Sequence, residues 1–167
     1  MKNIIINISL LLLLCPALAD AGITSVQELK NLDPYTNGTL KAIRNDIRKS
    51  IYVIKSRRPE RELPELKFYS YRVKKDDTFW TILARSSQDI DTLLSVNKFS
   101  TPRDIAPGKT IYIPNMRGVV MNGSDSAAIT KMLRENQIRQ EYVHRANRCR
   151  DFGKKYLFIP GGKISNL

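Results

Sequence analysis

Residues 71–114 read YRVKKDDTFWTILARSSQDIDTLLSVNKFSTPRDIAPGKTIYIP. Apolar residues alternate at Tyr71 and Val73 and again at Ile111 and Ile113, which predicts a short strand at each end. Two helical patterns lie between these strands. The segment therefore predicts a compact α+β unit in the order strand, helix, helix, strand.

Each helical pattern begins with a residue type that favours helix N-termini. Asp77 and Thr78 can cap the first helix and Asp89 the second, because their side-chain oxygens accept hydrogen bonds from free amides of the first turn. Apolar residues then follow at helical spacing. They are Phe79, Ile82 and Leu83 in the first helix and Ile90, Leu93, Leu94 and Val96 in the second.

In these residues the segment resembles the LysM module. The pattern of that family opens with Tyr-x-Val and Gly-Asp-Thr-Leu, continues with a paired Leu before an Asn, and closes with Pro-Gly and Ile-Pro. The spacing here matches without a gap. The matching residues are Tyr71, Val73, Asp77, Thr78, Phe79 in place of Leu, Ile82, Leu93, Leu94, Asn97, Pro107, Gly108, Ile111, Ile113 and Pro114.

The segment departs from the family pattern at three places. Asp76 stands at a turn position where Gly is usual, and we expect it to adopt a positive φ, which Asp tolerates better than most residues. Leu83 replaces a small Ala, and Ser86 and Ser87 replace a Tyr-Gly pair. These changes affect the shape of a binding groove, and the fold is expected to be retained.

LysM modules bind glycans built from N-acetylglucosamine, which in bacteria means the peptidoglycan strand. The resemblance implies a shallow groove between the loop after the first strand and the loop before the second. N-acetyl groups offer an amide to short polar groups and a methyl face to apolar side chains. The candidate glycan-binding residues are Asp76, Asp77, Thr78, Phe79, Ser100, Thr101, Pro102, Asp104 and Ile105.

Two aromatic residues at the start of the first helix need separate interpretations. Phe79 is expected to serve partly as core and partly as groove. Trp80 is the only Trp of the chain and could stack on a sugar. Helical geometry points it away from Phe79, so we expect partial packing against the N-terminal helix or the C-terminal residues instead.

The N-terminus has the three parts of a secretory signal peptide. Lys2 precedes an apolar run over residues 4–14, and small residues lead to Ala19. The run is too short to cross a membrane comfortably. We expect cleavage after Ala19, with Ala21 as the alternative, so that residues 1–19 are removed. This predicts an exported protein of the periplasm or cell envelope.

Two cysteines and one histidine bear on compartment and chemistry. Cys15 leaves open a lipoprotein, although Leu14 is large for the residue before an acylated Cys. After signal cleavage Cys149 would be the single remaining Cys, so a disulfide framework is excluded and a half-buried role is favoured over redox or dimer formation. His144 stands without acids or Cys at ligand spacing, so we expect no metal and no cofactor.

Residues 20–66 predict a helical segment followed by a linker. A short apolar turn ends at Asp33-Pro34, and Thr39 can cap a longer helix. The apolar stripe of that helix needs a partner, and packing on the LysM module or on the preceding turn, pairing with a second copy, and contact with a membrane surface all stay open. The stripe consists of Leu40, Ile43, Ile47, Ile51 and Ile54.

The LysM module is assigned to residues 67–115, and residues 116–167 follow the same order of signals. A strand at 118–121 and a helical pattern at 129–133 lead to a second helical pattern at 142–146 and a closing Ile-Pro. This pattern favours a degenerate second LysM-like repeat. The alternative is a helical tail with one strand.

The net charge of the 167-residue chain is +12, and its excess lies towards the C-terminus. Export makes nucleic acid an unsuitable partner, whereas anionic peptide stems of peptidoglycan or acidic lipid headgroups fit a basic surface; a solvated face without a partner is the alternative. The basic residues are notably Arg139, Arg145, Arg148, Arg150, Lys154 and Lys155.

A catalytic function is not supported by the residues available. The ending at residues 158–162 resembles the junction at which LysM-containing envelope proteins of spirochete type continue into a zinc peptidase. Such a peptidase needs several His around its metal, and this chain has one. We therefore expect a non-enzymatic peptidoglycan-binding protein. An adaptor that recruits a separate wall hydrolase, or a remnant of a truncated peptidase, remains the alternative.

Overall fold

The computed structural model describes residues 26–146 and 155–164. These residues form a mixed α+β structure with two three-stranded sheets. None of the helices in this part of the chain is both long and apolar enough to cross a membrane. The elements are β1 (Gln27–Leu29), α1 (Gly38–Lys55), β2 (Phe68–Arg72), α2 (Phe79–Ser86), α3 (Ile90–Asn97), β3 (Thr110–Pro114), β4 (Gly118–Asn122), α4 (Ser126–Glu135), β5 (His144–Arg145) and β6 (Tyr156–Pro160).

Several sequence predictions fall outside the described residues. These are the signal peptide at residues 1–19 with Cys15, and in the C-terminal part Arg148, Cys149, Arg150 and Lys154.

The predicted βααβ order is confirmed over residues 68–114. β2 and β3 pair antiparallel, with Tyr71 opposite Ile111. The Thr78 hydroxyl caps α2 by accepting from the amide of Thr81, and the Asp89 carboxylate caps α3. Both helices are short, so these caps supply a substantial share of the helix-end hydrogen bonds.

Asn97 joins the end of α3 to the middle of β3. Its Nδ2 donates to the Tyr112 carbonyl at 3.0 Å and to the Leu93 carbonyl at 2.9 Å, and its Oδ1 accepts from the Tyr112 amide at 2.7 Å. One amide side chain thus satisfies both backbone groups of Tyr112 that face away from β2. This explains why the LysM pattern has Asn at this position.

The N-terminal segment differs from the helical turn that its sequence predicts. Residues 27–29 form β1, which pairs parallel with β2 and places Leu29 opposite Tyr71. The free edge of β2 supplies hydrogen-bond partners that no local pattern could indicate. The start of α1 also differs, because Asn37 rather than Thr39 provides the cap, accepting from the Leu40 amide at 3.1 Å.

The apolar face of α1 is buried inside the molecule. Of the predicted stripe, Ile51 and Ile54 are only partly buried, whereas Ser50 and Val53 are buried in their place. Burial of Ser50 leaves no unpaired hydroxyl, because its Oγ donates to the Ile47 carbonyl at 2.9 Å. Among the interpretations left open, packing within the chain is therefore the one that the structure shows.

The described residues 118–146 and 155–160 contain one α-helix where the repeat interpretation predicts two. β4 and β6 pair antiparallel, as β2 and β3 do, but the predicted helix at 142–146 is wrong. A 3-10 turn at Gln140–Tyr142 and the short strand β5 occupy its place, and β5 pairs with β6. The buried Tyr142 ring explains the difference, since its hydroxyl donates to the Arg58 carbonyl beyond the end of α1. A second LysM-like repeat is thus not confirmed.

Two apolar cores hold these elements, and α1 and α3 contribute to both. The first core lies within the βααβ unit and under the N-terminal half of α1. The second lies between the C-terminal sheet, α4 and the end of α1. The first core consists of Leu29, Leu32, Leu40, Ile43, Ile47, Tyr69, Tyr71, Val73, Phe79, Ile82, Leu93, Ile111 and Ile113, and the second of Val53, Leu63, Leu66, Phe68, Val96, Met116, Val119, Ile129, Met132, Leu133, Ile138, Tyr142, Ala146, Phe158 and Ile159.

Hydrogen bonds also cross from α3 to the edge strand β4. The Gly118 amide donates to Thr92 Oγ1 at 2.8 Å, and the Val120 amide donates to Ser95 Oγ at 3.2 Å. Two hydroxyls of one helix thus satisfy the edge amides of the following sheet. The βααβ unit and the C-terminal residues are therefore built against each other.

Candidate functional site

The two predicted groove loops leave the same end of the β2–β3 pair. At that end Arg72 pairs with Thr110. One step further, the Val73 amide donates to the Lys109 carbonyl at 2.9 Å and the Gly108 amide donates to the Val73 carbonyl at 2.8 Å. The loop that starts at residue 74 and the loop that ends at residue 109 therefore begin side by side, as the predicted groove requires.

Asp77 holds the first loop in shape. Its Oδ2 accepts from the Tyr71 hydroxyl at 2.6 Å and from the Lys74 amide at 2.8 Å, and its Oδ1 lies 3.7 Å from Arg85 Nη1. Only 4% of the Asp77 side chain is exposed. Burial of Tyr71 and its bond to this carboxylate raise the pKa of the phenol. The Asp77 carboxylate thus already has hydrogen-bond partners within the protein, whereas the sequence predicts that it contacts the glycan directly.

The neighbours of Asp77 divide between surface and core. Asp76 is exposed in a turn with Lys75, and it is not among the described residues with positive φ, so the expected left-handed conformation is wrong. Here the turn is closed by a hydrogen bond from the Asp77 amide to the Lys74 carbonyl and needs no glycine.

The next two residues differ in accessibility. Thr78 is exposed while capping α2, whereas Phe79 is 3% exposed and belongs to the first core. Of the predicted contacts in this loop, Asp76 and Thr78 remain accessible.

The second loop is ordered by its own side chains. Asp104 Oδ2 accepts from the amides of Ser100 at 2.6 Å and Thr101 at 3.0 Å, and these donors lower the pKa of the Asp104 carboxyl. Thr101 caps the 3-10 turn Pro102–Asp104. Lys109 donates from Nζ to the Asp104 carbonyl at 3.1 Å. A loop stabilised in this way presents its outer surface in one preferred shape.

Accessible groups in the second loop are small and polar or only partly apolar. Ser100 and Thr101 are exposed, and Pro102 is partly exposed. Ile105 is partly buried and packs against the first core, so it is less free than a pure groove residue. Hydroxyl groups beside a partly exposed proline and isoleucine suit an acetamido sugar, which presents an amide and a methyl group together.

Trp80 differs from its sequence prediction in its contact with Phe79, from which helical geometry was expected to point it away. It follows the first loop directly and is 57% exposed, and its partial packing against the N-terminal helix or the C-terminal residues stays a prediction. Its indole stands edge-on to Phe79, with ring centroids 5.4 Å apart and planes at 86°. The helical pattern did contain a signal, because a residue directly after a buried N1 position on a short helix falls on the outer face. An exposed, supported indole is a suitable platform for a sugar ring.

Groups that could bind a metal do not assemble in the described part of the chain. No three His, Cys, Asp or Glu side chains there lie close enough to hold a metal ion. His144 lies in β5, where burial lowers its pKa, and its Nε2 is buried without a hydrogen-bond partner. His144 thus belongs to the sheet formed by β4, β6 and β5 and not to the two loops described above.

Residues 71–114 match the LysM domain family. The chain contains a LysM domain. The matched residues begin in β2 and end with β3, which are the bounds of the βααβ unit between which both loops lie. Comparisons with curated proteins and with solved structures find no match. The LysM domain implies binding of peptidoglycan or chitin glycan. The resemblance to zinc peptidases of spirochete type gains no support from this match.

Proposed function

We propose that this protein is an exported, non-catalytic protein of the periplasm or cell envelope that binds peptidoglycan through its LysM domain. The observation that carries the proposal is the LysM match over residues 71–114. The signal-peptide pattern at residues 1–19 supports export.

In this proposal the glycan lies across the two loops at the end of the β2–β3 pair. Thr78, Ser100 and Thr101 offer exposed hydroxyls. Trp80 offers an exposed aromatic face next to the first loop. Asp77 and Asp104 act indirectly, since their carboxylates already accept hydrogen bonds that fix the loops.

The alternative of an adaptor for a wall hydrolase relied on the N-terminal helix as a docking element. Its apolar residues Leu40, Ile43 and Ile47 are buried in the first core. An adaptor would have to use another surface, so we favour direct glycan binding. Nucleic acid is excluded from the proposal because export separates the protein from it.

Co-sedimentation of the full chain with purified, protein-free sacculi tests the proposal. We expect binding that chito-oligosaccharides displace, with a Kd on the order of 10–1,000 μM because a shallow groove buries little area per sugar. Trp80→Ala should weaken binding about tenfold and leave the melting temperature nearly unchanged, since the indole is largely exposed.

A matched control is Tyr52→Ala, which removes another exposed aromatic ring on α1, away from the loops. This variant should bind as the wild type does. A folded wild-type protein that fails to sediment with any sacculus would contradict the proposal, and equal loss in both variants would contradict the role of Trp80.

A further inference from the structure

A second surface with the properties of a binding site lies beside the LysM domain, at the loop between β1 and α1. Asp33 fixes the loop, because its two oxygens accept from the Tyr35 amide and the Thr36 hydroxyl, each at 2.9 Å. These donors lower the pKa of the Asp33 carboxyl. Asn37 Nδ2 adds a bond to the Asn31 carbonyl at 2.8 Å. The loop is thus well ordered.

Tyr35 projects from this ordered loop with 96% of its surface exposed. An aromatic side chain in that position contributes almost nothing to the cores, whereas exposed Tyr residues on fixed loops are frequent contacts in recognition surfaces. Two clefts flank it, of about 490 and 390 Å³, and Pro34 and Tyr35 line both.

Positive side chains line both clefts. Lys74 and Arg85 of the LysM domain lie in the larger cleft, with Tyr71 at its wall. The smaller cleft is lined on the side of α1 by Lys41, Arg44 and Arg48. Five cationic side chains therefore surround one exposed tyrosine, and they come from two separate parts of the chain.

Few acidic groups offset this charge. Asp33 lies in the larger cleft near Arg85, and both of its oxygens already accept hydrogen bonds. Asp77 faces Arg85 from a buried position. In the described part of the chain, the side chains of Lys41 and Lys74 form no hydrogen bond or ion pair with other residues. A ligand with carboxylates would supply the missing counter-charges.

We propose that the surface formed by Tyr35 and these five cations binds the acidic peptide stems that peptidoglycan glycan strands carry. This inference rests on the proposed function and extends it. Tyr71 and Lys74 line the larger cleft, and each donates a hydrogen bond to Asp77 of the first glycan loop. The larger cleft therefore adjoins that loop. A glycan in the LysM loops would thus carry its peptides towards Tyr35. A membrane surface fits less well, since the cations lie in clefts on either side of a projecting ring and the apolar face of α1 is buried.

The experiment compares four ligands with the full chain. They are the free peptide stem released from sacculi, the same peptide with its carboxylates converted to amides, a chito-oligosaccharide without peptide, and vesicles of anionic lipid. We expect the acidic peptide to bind and the amidated peptide to bind at least about fivefold more weakly, with an affinity that falls as salt is raised.

Two variants locate the site, and each replaces exposed side chains. Tyr35→Ala and the double variant Lys41→Gln/Arg48→Gln, which lies outside the glycan loops, should each weaken binding of the acidic peptide by about three- to tenfold. Both should bind the chito-oligosaccharide as the wild type does. The matched control, Lys49→Gln/Lys55→Gln, removes the same charge from exposed positions of α1 that line neither cleft, and it should bind the peptide normally.

The possible results separate this inference from the proposed function. Equal binding of the acidic and amidated peptides, or an equal loss in the control variant, would overturn the peptide site. So would tighter binding to vesicles of anionic lipid than to the peptide. Absence of chito-oligosaccharide binding with peptide binding retained would instead overturn the LysM groove and leave the Tyr35 surface as the site of attachment.

Discussion

The antiparallel strand pairs β2–β3 and β4–β6 are alike in length and ending, but the chain between their strands differs. β2 and β3 pair over five positions and end at Pro114, and β4 and β6 pair over five positions and end at Pro160. Two capped helices connect the first pair. Between the strands of the second pair, the described residues form one helix, a 3-10 turn and a two-residue strand. Similar strand pairs can thus be closed by different packing.

The difference teaches where the glycan function resides. In the LysM domain, loops fixed by Asp77 and Asp104 meet at the open end of the strand pair. In the C-terminal unit, which consists of β4, α4, β5 and β6, β5 pairs with β6 as a third strand. The Tyr142 hydroxyl donates to the Arg58 carbonyl beyond the end of α1. That unit contributes a second core that supports α1 and α3 rather than a copy of the first site.

The largest expected effect tests whether the two units unfold together. Ile82→Ala in the first core and Phe158→Ala in the second should each cost about 2–5 kcal/mol, because both side chains are fully buried. Since α1 and α3 contribute to both cores, we expect each variant to shift one common unfolding transition. Denaturant unfolding with amide hydrogen exchange at Ile111 and Ile159 measures this. Exchange at Ile111 that Phe158→Ala leaves unchanged would show two independent units.

Much of the LysM domain could be predicted from sequence because its determinants are local. The alternating strand residues and the caps Thr78 and Asp89 each act within a few positions, and the structure has them as predicted. β1 could not be predicted, because three residues become a strand only beside β2. The same holds for the replaced helix near Tyr142, whose partner Arg58 is far away in sequence.

The candidate site is harder to predict from sequence than the fold, and for a physical reason. The sequence indicates which loops lie at the predicted groove, but not which of their polar groups already have partners. In the structure, Asp77 and Asp104 accept hydrogen bonds that hold the loops and Phe79 lies in the first core, while their contact with glycan stays a prediction. The position of Trp80 on the outer face of its short helix follows from the helical pattern, whereas its ring contact with Phe79 depends on side-chain packing that the pattern does not contain.

A smaller effect is expected from removing the amide side chain that joins α3 to β3. Asn97→Ala leaves both backbone groups of Tyr112 without their partners and should cost about 2–3 kcal/mol. Asn136 in the C-terminal unit is the matched control, since its Nδ2 donates mainly to its own helix at Met132. Asn136→Ala should cost less than 1 kcal/mol by denaturant unfolding. Equal costs would mean that Asn97 has no special role in the LysM domain.

The contact between the two units should give a smaller change still. Thr92→Val keeps the shape of the side chain but removes the hydroxyl that accepts from the buried Gly118 amide. We expect a loss of about 1–2 kcal/mol, since one donor is left unpaired. Thr130→Val is the control, because the Thr130 hydroxyl donates only to the Ser126 carbonyl on the exposed face of its own helix. A Thr92→Val protein as stable as the wild type would show that the contact contributes no net stability.

The smallest effect concerns the helix ends, where both units share an unusual feature. Ser87 after α2 and Gln137 after α4 adopt the left-handed conformation with φ of 58° and 53°, and neither is glycine. In each case the next amide donates back to the helix, from Gln88 to the Leu83 carbonyl and from Ile138 to the Leu133 carbonyl. Helices that end in this way usually have glycine at the left-handed position, because a Cβ there is strained.

Ser87→Gly and Gln137→Gly should therefore each stabilise the protein, by about 0.5–1 kcal/mol, because relief of the strain exceeds the added freedom of the unfolded chain. Ser87 also stands where the LysM pattern has Gly, so the change restores a family residue, and its carbonyl can still accept from Arg117 Nε at 2.8 Å. Because the strain is local, we expect equal gains in the two units although one is a LysM domain and the other is not. Thermal unfolding measures both gains. The control is Ser126→Gly, which replaces a residue in the right-handed helical conformation and should destabilise the protein. A gain at Ser87 without one at Gln137 would mean that the benefit depends on the LysM fold rather than on backbone strain.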